Sequence, residues 1–104
     1  MFTNIKKLLV STVGSTSAAV YTAPVGFQAQ ITRIKVHNTD VVARSLELRH
    51  NHATNNLLFN LTIAAGDTVE ITDEWQLAAG EAIFAKASSA SVINIYIAGR
   101  EDQA

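Results

Sequence analysis

Cysteine is absent from the 104 residues. That excludes a disulfide framework, a thiolate metal site and thiol chemistry, and it leaves the redox compartment unread. Charge is scarce: Asp, Glu, Lys and Arg make up 16% of the chain, against roughly 25% in an ordinary soluble protein. A small domain has much surface to cover and usually covers it with charge, so the deficit points to surface covered by other subunits. Charge of one sign is missing too. A net charge of −1 offers no bulk attraction for nucleic acid or an anionic membrane, and no apolar run approaches the roughly 20 residues needed to span a bilayer. Proline occurs once, at Pro24. No segment holds a 3.6-residue period over helical length, which excludes a helical domain. The sequence also lacks G-x-S-x-G, a phosphate loop and any serine with a matching histidine–acid pattern, so it is not read as an enzyme and no cofactor is expected.

What is present is alternation. Leu46 and Leu48 alternate with Ser45, Glu47 and Arg49, and Ile93, Ile95 and Ile97 alternate with Val92, Asn94 and Tyr96. Leu57, Phe59, Leu61 and Ile63 share one face of a further segment, with Leu58, Asn60 and Thr62 on the other. One phrase occurs twice. Leu61–Ile71 and Trp75–Ala85 each reach Ala-Ala-Gly, then an acidic residue, then another alternating run. Glycine tolerates the positive φ of a tight turn, so each copy reads as strand, turn, strand. A turn every 8–14 residues gives an all-β, antiparallel two-sheet β-sandwich, jelly-roll-like, with about eight strands. The expected organisation is an N-terminal strand or arm over 1–17, the sandwich over 18–99 and a polar tail over 100–104. Met1–Val10 opens like a signal peptide, but its apolar run meets Ser11 and Thr12 too soon for a secretory core.

Two stretches carry a resemblance. Tyr21-Thr22-Ala23-Pro24-Val25-Gly26 leads into Ala29-x-Ile31-x-x-Ile34-x-Val36-x-Asn38-Thr39. Later come an Ile63–Ile71 hairpin, a Leu77–Ile83 hairpin, a small turn over Ala87–Ser91 and the strand Val92–Ala98. This line resembles small β-sandwich structural proteins of tailed-bacteriophage virions, of the capsid decoration or cement kind. The resemblance covers roughly Tyr21 to Ala98. It implies a structural rather than catalytic role and a protein made in the bacterial host cytoplasm and placed on the capsid surface. The partners implied are a second copy of the chain, with a homotrimer the common arrangement, and the major capsid protein. A neck, tail or fibre subunit, and a carbohydrate- or receptor-binding sandwich, are the rival roles.

Several side chains stand out against this pattern. Ile31, Leu58, Phe84 and Tyr96 fall on faces that should be wet in a lone sandwich, which makes them candidate interface residues. Ile31 breaks the phase of Ile34, Val36 and Asn38; either a bulge near Thr32 restores it or Ile31 lies in an interface. Phe84 and Tyr96 are placed where they can meet across paired strands. Arg33, Lys35 and His37 form a one-sided basic stripe, with Arg44 and Arg49 expected nearby, suited to an acidic partner surface. His50, His52 and His37 have the residue type for zinc, and Asp67, Glu70, Asp73, Glu74 and Glu81 for calcium or acid–base work. Without cysteine or a spaced carboxylate among the histidines, and with Asp67 and Glu81 in turns and Glu70 on a polar strand face, solvated polar roles are preferred, and no metal is expected. Trp75, at a strand entry, is expected to cap the core.

Overall fold

The computed structural model describes residues 6–103, with side-chain burial defined from residue 8 onward. Nine strands are found among them: β1 (Lys6–Val13), β2 (Ala18–Thr22), β3 (Phe27–Asn38), β4 (Arg44–His50), β5 (Leu57–Ile63), β6 (Thr68–Ile71), β7 (Trp75–Leu77), β8 (Ala82–Ala87) and β9 (Ile93–Gln103). Residues 1–5 of the expected N-terminal strand or arm lie outside the described residues.

The pairing is nested. β4 pairs with β5, β3 with both β6 and β7, β2 with β8 and β1 with β9, all antiparallel. The chain is thus one long ribbon folded back on itself. Rolling that ribbon brings β9 beside β3 and β8 beside β4, which is the jelly-roll solution to burying one face of every strand. The first sheet runs β1-β9-β3-β6, with β7 also on β3; the second runs β2-β8-β4-β5. β6 lies along Ile34–His37 and β7 along Ala29–Ile31. The two short strands therefore fill one sheet position, split by Asp73-Glu74, and nine strands occupy eight positions.

The core lies between the sheets and follows the alternation. Ile93, Ile95 and Ile97 of β9 face Leu46 and Leu48 of β4 and Ile83, Ala85 and Ala87 of β8, all buried. The twin turns have one shape: Asp67 N–H bonds the Ala64 carbonyl at 3.0 Å and Glu81 N–H the Ala78 carbonyl at 3.0 Å, with Gly66 and Gly80 at positive φ. A third turn shares it. Phe27 N–H bonds the Pro24 carbonyl, so the turn frame is Pro24–Phe27. Pro24 opens the turn and Gly26 takes its positive-φ position.

Two expectations change. Ile31 pairs with Gly99 and Arg33 with Ala98, leaving Thr32 as an extra residue in β3. This bulge reverses the phase, so Ala29 and Ile31 point inward on one side of it and Ile34, Val36 and Asn38 on the other. Ile31 is wholly buried in the chain's own core and is withdrawn from the candidate interface. The last strand, expected to end at Ala98, runs on to Gln103 because β3 extends back to Phe27 and supplies a partner for each residue.

Asn38 is the one buried polar side chain among the described residues. Its Nδ2 donates toward the carbonyls of Val42 (2.9 Å), Ile63 (3.0 Å) and Ala64 (3.3 Å), and its Oδ1 accepts from Asp40 N–H (2.9 Å). One amide thus ties the end of β3 to the following loop and to the exit of β5. Tyr21, on β2, donates its hydroxyl to the Glu101 carboxylate on β9 and so joins the two sheets. Burial and the adjacent carboxylate together push its ionisation well above the ordinary phenol range.

Candidate docking face

The outer face of the first sheet carries Arg33, Lys35, His37 and Tyr96. Its strands are locked in register by the isoleucine layer beneath, so outward residues form rows across the sheet. One row reads Glu70–Lys35–Tyr96–Val10, from β6 through β3 and β9 to β1. The next reads Thr68–His37–Asn94–Thr12. Arg33 stands one row beyond Lys35. Tyr96 is half-buried beside Val10, which is 59% exposed. An aromatic on the inner strand β9 and an aliphatic on the edge strand β1 thus sit side by side, with polar groups along the rest of the face.

The charge on this face is partly offset. Arg33 Nε lies 3.6 Å and Lys35 Nζ 3.9 Å from the two oxygens of Glu70. Two cations share one carboxylate, so the face keeps a local positive excess. All three side chains are well exposed, and such pairs hold weakly in water, leaving Lys35 and Arg33 able to exchange Glu70 for an acidic partner. His37 Nδ1 hydrogen-bonds Thr68 Oγ1 at 2.8 Å.

The fold does not bring the other candidates here. Arg44 and Arg49 lie on β4, in the second sheet. Arg44 pairs with Asp40 at 2.7 Å, and Arg49 pairs with Glu47 at 2.7 Å while donating to the Thr54 carbonyl at 2.9 Å. The basic stripe is therefore Arg33, Lys35 and His37. Phe84 also belongs to the second sheet, opposite Ala19 and Arg49, so it does not meet Tyr96: the two aromatics mark opposite outer faces, because β8 and β9 fall in different sheets. Leu58 lies at the start of β5 and is 51% exposed.

The histidines and acids are dispersed. His37 is on the first sheet; His52 Nδ1 accepts from Thr54 and Asn55 N–H groups at 3.0 and 2.9 Å; His50 Nδ1 accepts from Trp75 Nε1 at 2.8 Å. Among the described residues no three His, Cys, Asp or Glu side chains gather as a metal site. Glu81 accepts from Ala78 N–H at 2.8 Å and faces His50 Nε2 at 3.5 Å.

A cleft that the sequence did not signal opens at one end of the sandwich. Its volume is about 770 Å³, and His50, Asn56, Leu58, Phe59, Asp73, Glu74, Trp75 and Gln76 line it. These residues come from β4, β5, β7 and two loops, so no linear spacing announces them. Trp75 lies between His50 and Phe59, each ring centroid 6.1 Å away. It is only 7% exposed and fills the cleft floor as part of the core.

No protein-family model matches this sequence, and no curated protein matches it. Solved structures do resemble it in fold. A chain in the acidic stable capsid structure of Helicobacter pylori bacteriophage KHP30 superposes with a TM-score of 0.63 at 9% identity, covering 100% of this chain and 90% of that one. A chain from Bacillus endospore appendages, described as disulfide-linked pili, gives 0.53 at 10% identity over 99% and 91%. At these identities the likeness is one of fold.

Proposed function

We propose that this protein is a structural subunit of a tailed-bacteriophage virion, and specifically a capsid decoration (cement) protein that works by binding. One observation supports the reading: this chain shares its fold, along its length, with nearly the whole of a chain from a phage capsid. The scarcity of charge and the Tyr96–Val10 pair on the outer face support a subunit made to be packed against others. The mechanism is mass action. A subunit that binds the assembled shell and not its dissociated parts stabilises the shell by about 2.7 kcal/mol per site at a hundredfold excess over Kd.

The docking surface in this reading is the outer face of the first sheet, with Tyr96 and Val10 as its apolar pair and Arg33, Lys35 and His37 toward an acidic patch of the shell. Homo-oligomerisation accompanies docking, and the trimer implied by the resemblance is one closed arrangement of such subunits. Rival roles lose support on particular points. A carbohydrate-binding sandwich needs a platform of several exposed aromatics, and among the described residues Trp75 is buried and Phe27 is the one exposed Phe, Tyr or Trp. The disulfide linkage of the pilus neighbour has no counterpart in a chain without cysteine. A neck, tail or fibre subunit differs in copy number and stays the closest rival.

The test is co-sedimentation of purified protein with shells lacking it. Saturable binding is expected, weakened by salt, by Lys35→Glu and, more strongly, by Tyr96→Asp. Absence of binding by the wild-type protein overturns the cement reading.

A further inference from the structure

Edge strands expose unpaired N–H and C=O groups, and proteins blunt them with charge, bulges or short length. Three of the four edges here are blunted. β1 carries Lys6 and Lys7 in its sequence, β2 has five residues with a bulge at Val20, and β6 and β7 are short and separated by Asp73-Glu74. β5 is the exception. It runs Leu-Leu-Phe-Asn-Leu-Thr-Ile with no charge and no proline. Its one bulge, at Leu58, lies at its start and leaves Phe59–Ile63 regular.

The direction of its free backbone groups follows from β4. Ser45 accepts from Ser88 N–H and donates to Ser88 Oγ, both at 3.0 Å, so its backbone faces β8. Alternation then turns Leu46 toward β5, its partner Leu61 back toward β4, and Asn60 and Thr62 outward. Phe59 and Leu61 point inward yet stay only half-buried, because among the described residues no strand pairs with the outer edge of β5.

We propose that β5 pairs antiparallel with β5 of a second copy, about a two-fold axis at Leu61. In this register Asn60 of each copy faces Thr62 of the other, and all four outward N–H and C=O pairs are satisfied. Leu61 meets its own counterpart at a non-hydrogen-bonded position, and Phe59 meets Ile63. An uncharged strand opposes itself without repulsion. The exposed apolar residues fit the same symmetry. Leu57 (44% exposed) and Leu58 stand at one end of β5, and Val42 (47% exposed) stands at the other, where Asn38 bridges the Val42 and Ile63 carbonyls. Antiparallel self-pairing sets these opposite ends side by side, twice. The contact leaves the outer face of the first sheet free and does not depend on the virion reading. It gives two copies alone, and six where a three-fold contact also forms.

The chain has no cysteine, so Leu61→Cys introduces a single thiol at the axis. Opposed residues at a non-hydrogen-bonded position sit about 4.5 Å apart, within disulfide reach. Under mild oxidation this variant is expected to run as a covalent dimer, while Ser11→Cys, exposed on β1, links far more slowly. A second variant, Asn60→Lys/Thr62→Lys, alters only exposed side chains and opposes lysines across the axis. Its expected result is halved native mass with an unchanged circular dichroism spectrum. A monomeric wild-type chain overturns the proposal, as does Leu61→Cys linking no faster than Ser11→Cys, or Leu61→Cys linking only to a different protein.

Discussion

Replacing Asn38 with aspartate changes one atom's chemistry and almost no volume. The new oxygen stands where Nδ2 donated, aimed at three carbonyl oxygens between 2.9 and 3.3 Å away. An ionised carboxylate there is an unpaired buried charge facing like partial charges. Burial and the facing carbonyls disfavour the charged form and raise the pKa in the folded state above the unfolded value, so the group takes up a proton. Holding an aspartate of ordinary pKa near 3.9 neutral at pH 7 costs up to about 4 kcal/mol, at 1.36 kcal/mol per pH unit. Below pH 4 that part vanishes, and a single O–H in place of two N–H donors leaves about 1–2 kcal/mol of unsatisfied carbonyl. Stability relative to wild type should therefore be highest at low pH and fall as pH rises. Against a total stability of roughly 5–15 kcal/mol, a loss of this size removes a third or more of it at neutral pH. Urea denaturation of both proteins at pH 4 and pH 7 reads the gap. A gap below about 1 kcal/mol at pH 7, or one that does not move with pH, refutes the claim that this amide clamps three carbonyls.

Other outcomes follow from the same packing. A Cβ at Gly99 meets the Gln30 carbonyl oxygen at 2.1 Å and Ile31 Cα at 3.0 Å, both backbone, so Gly99→Ala must part β3 from β9 at the bulge; a loss of several kcal/mol is expected on the scale of severe core disruption, read as the thermal midpoint. Tyr21→Phe removes the hydroxyl bond between the sheets and should cost about 1.5–3 kcal/mol by urea midpoint at pH 7. The Asp40 carboxyl is held below its ordinary range by Arg44 first and by the Val41 N–H second. Its stabilisation is present above the ordinary carboxylate range and lost as pH falls through the lowered value, so Asp40→Asn should narrow the difference between midpoints measured at pH 7 and pH 3.

Much of the fold was legible because one buried face imposes a period of two. The isoleucines of β9, the leucines of β4 and the doubled Ala-Ala-Gly turns fix strands and ends without any tertiary knowledge. What the residues could not show was which strands share a sheet. Phe84 and Tyr96 have the same phase relative to water, yet rolling the ribbon places β8 and β9 in different sheets and puts the two aromatics on opposite faces. The same gap separated Arg44 and Arg49 from Arg33 and Lys35. Ile31 was ambiguous because a bulge is a pairing event, written half in β3 and half at Gly99. The end cleft and the unguarded β5 edge were invisible for the same reason, since each exists only after three or more distant segments meet.

On the proposed function, this chain is a repeated component of a phage shell. Quantitative mass spectrometry of purified virions whose genome encodes it tests that most directly. The expected result is a copy number comparable with that of the shell subunit, in a simple ratio set by the lattice. A handful of copies per particle, or none, contradicts it.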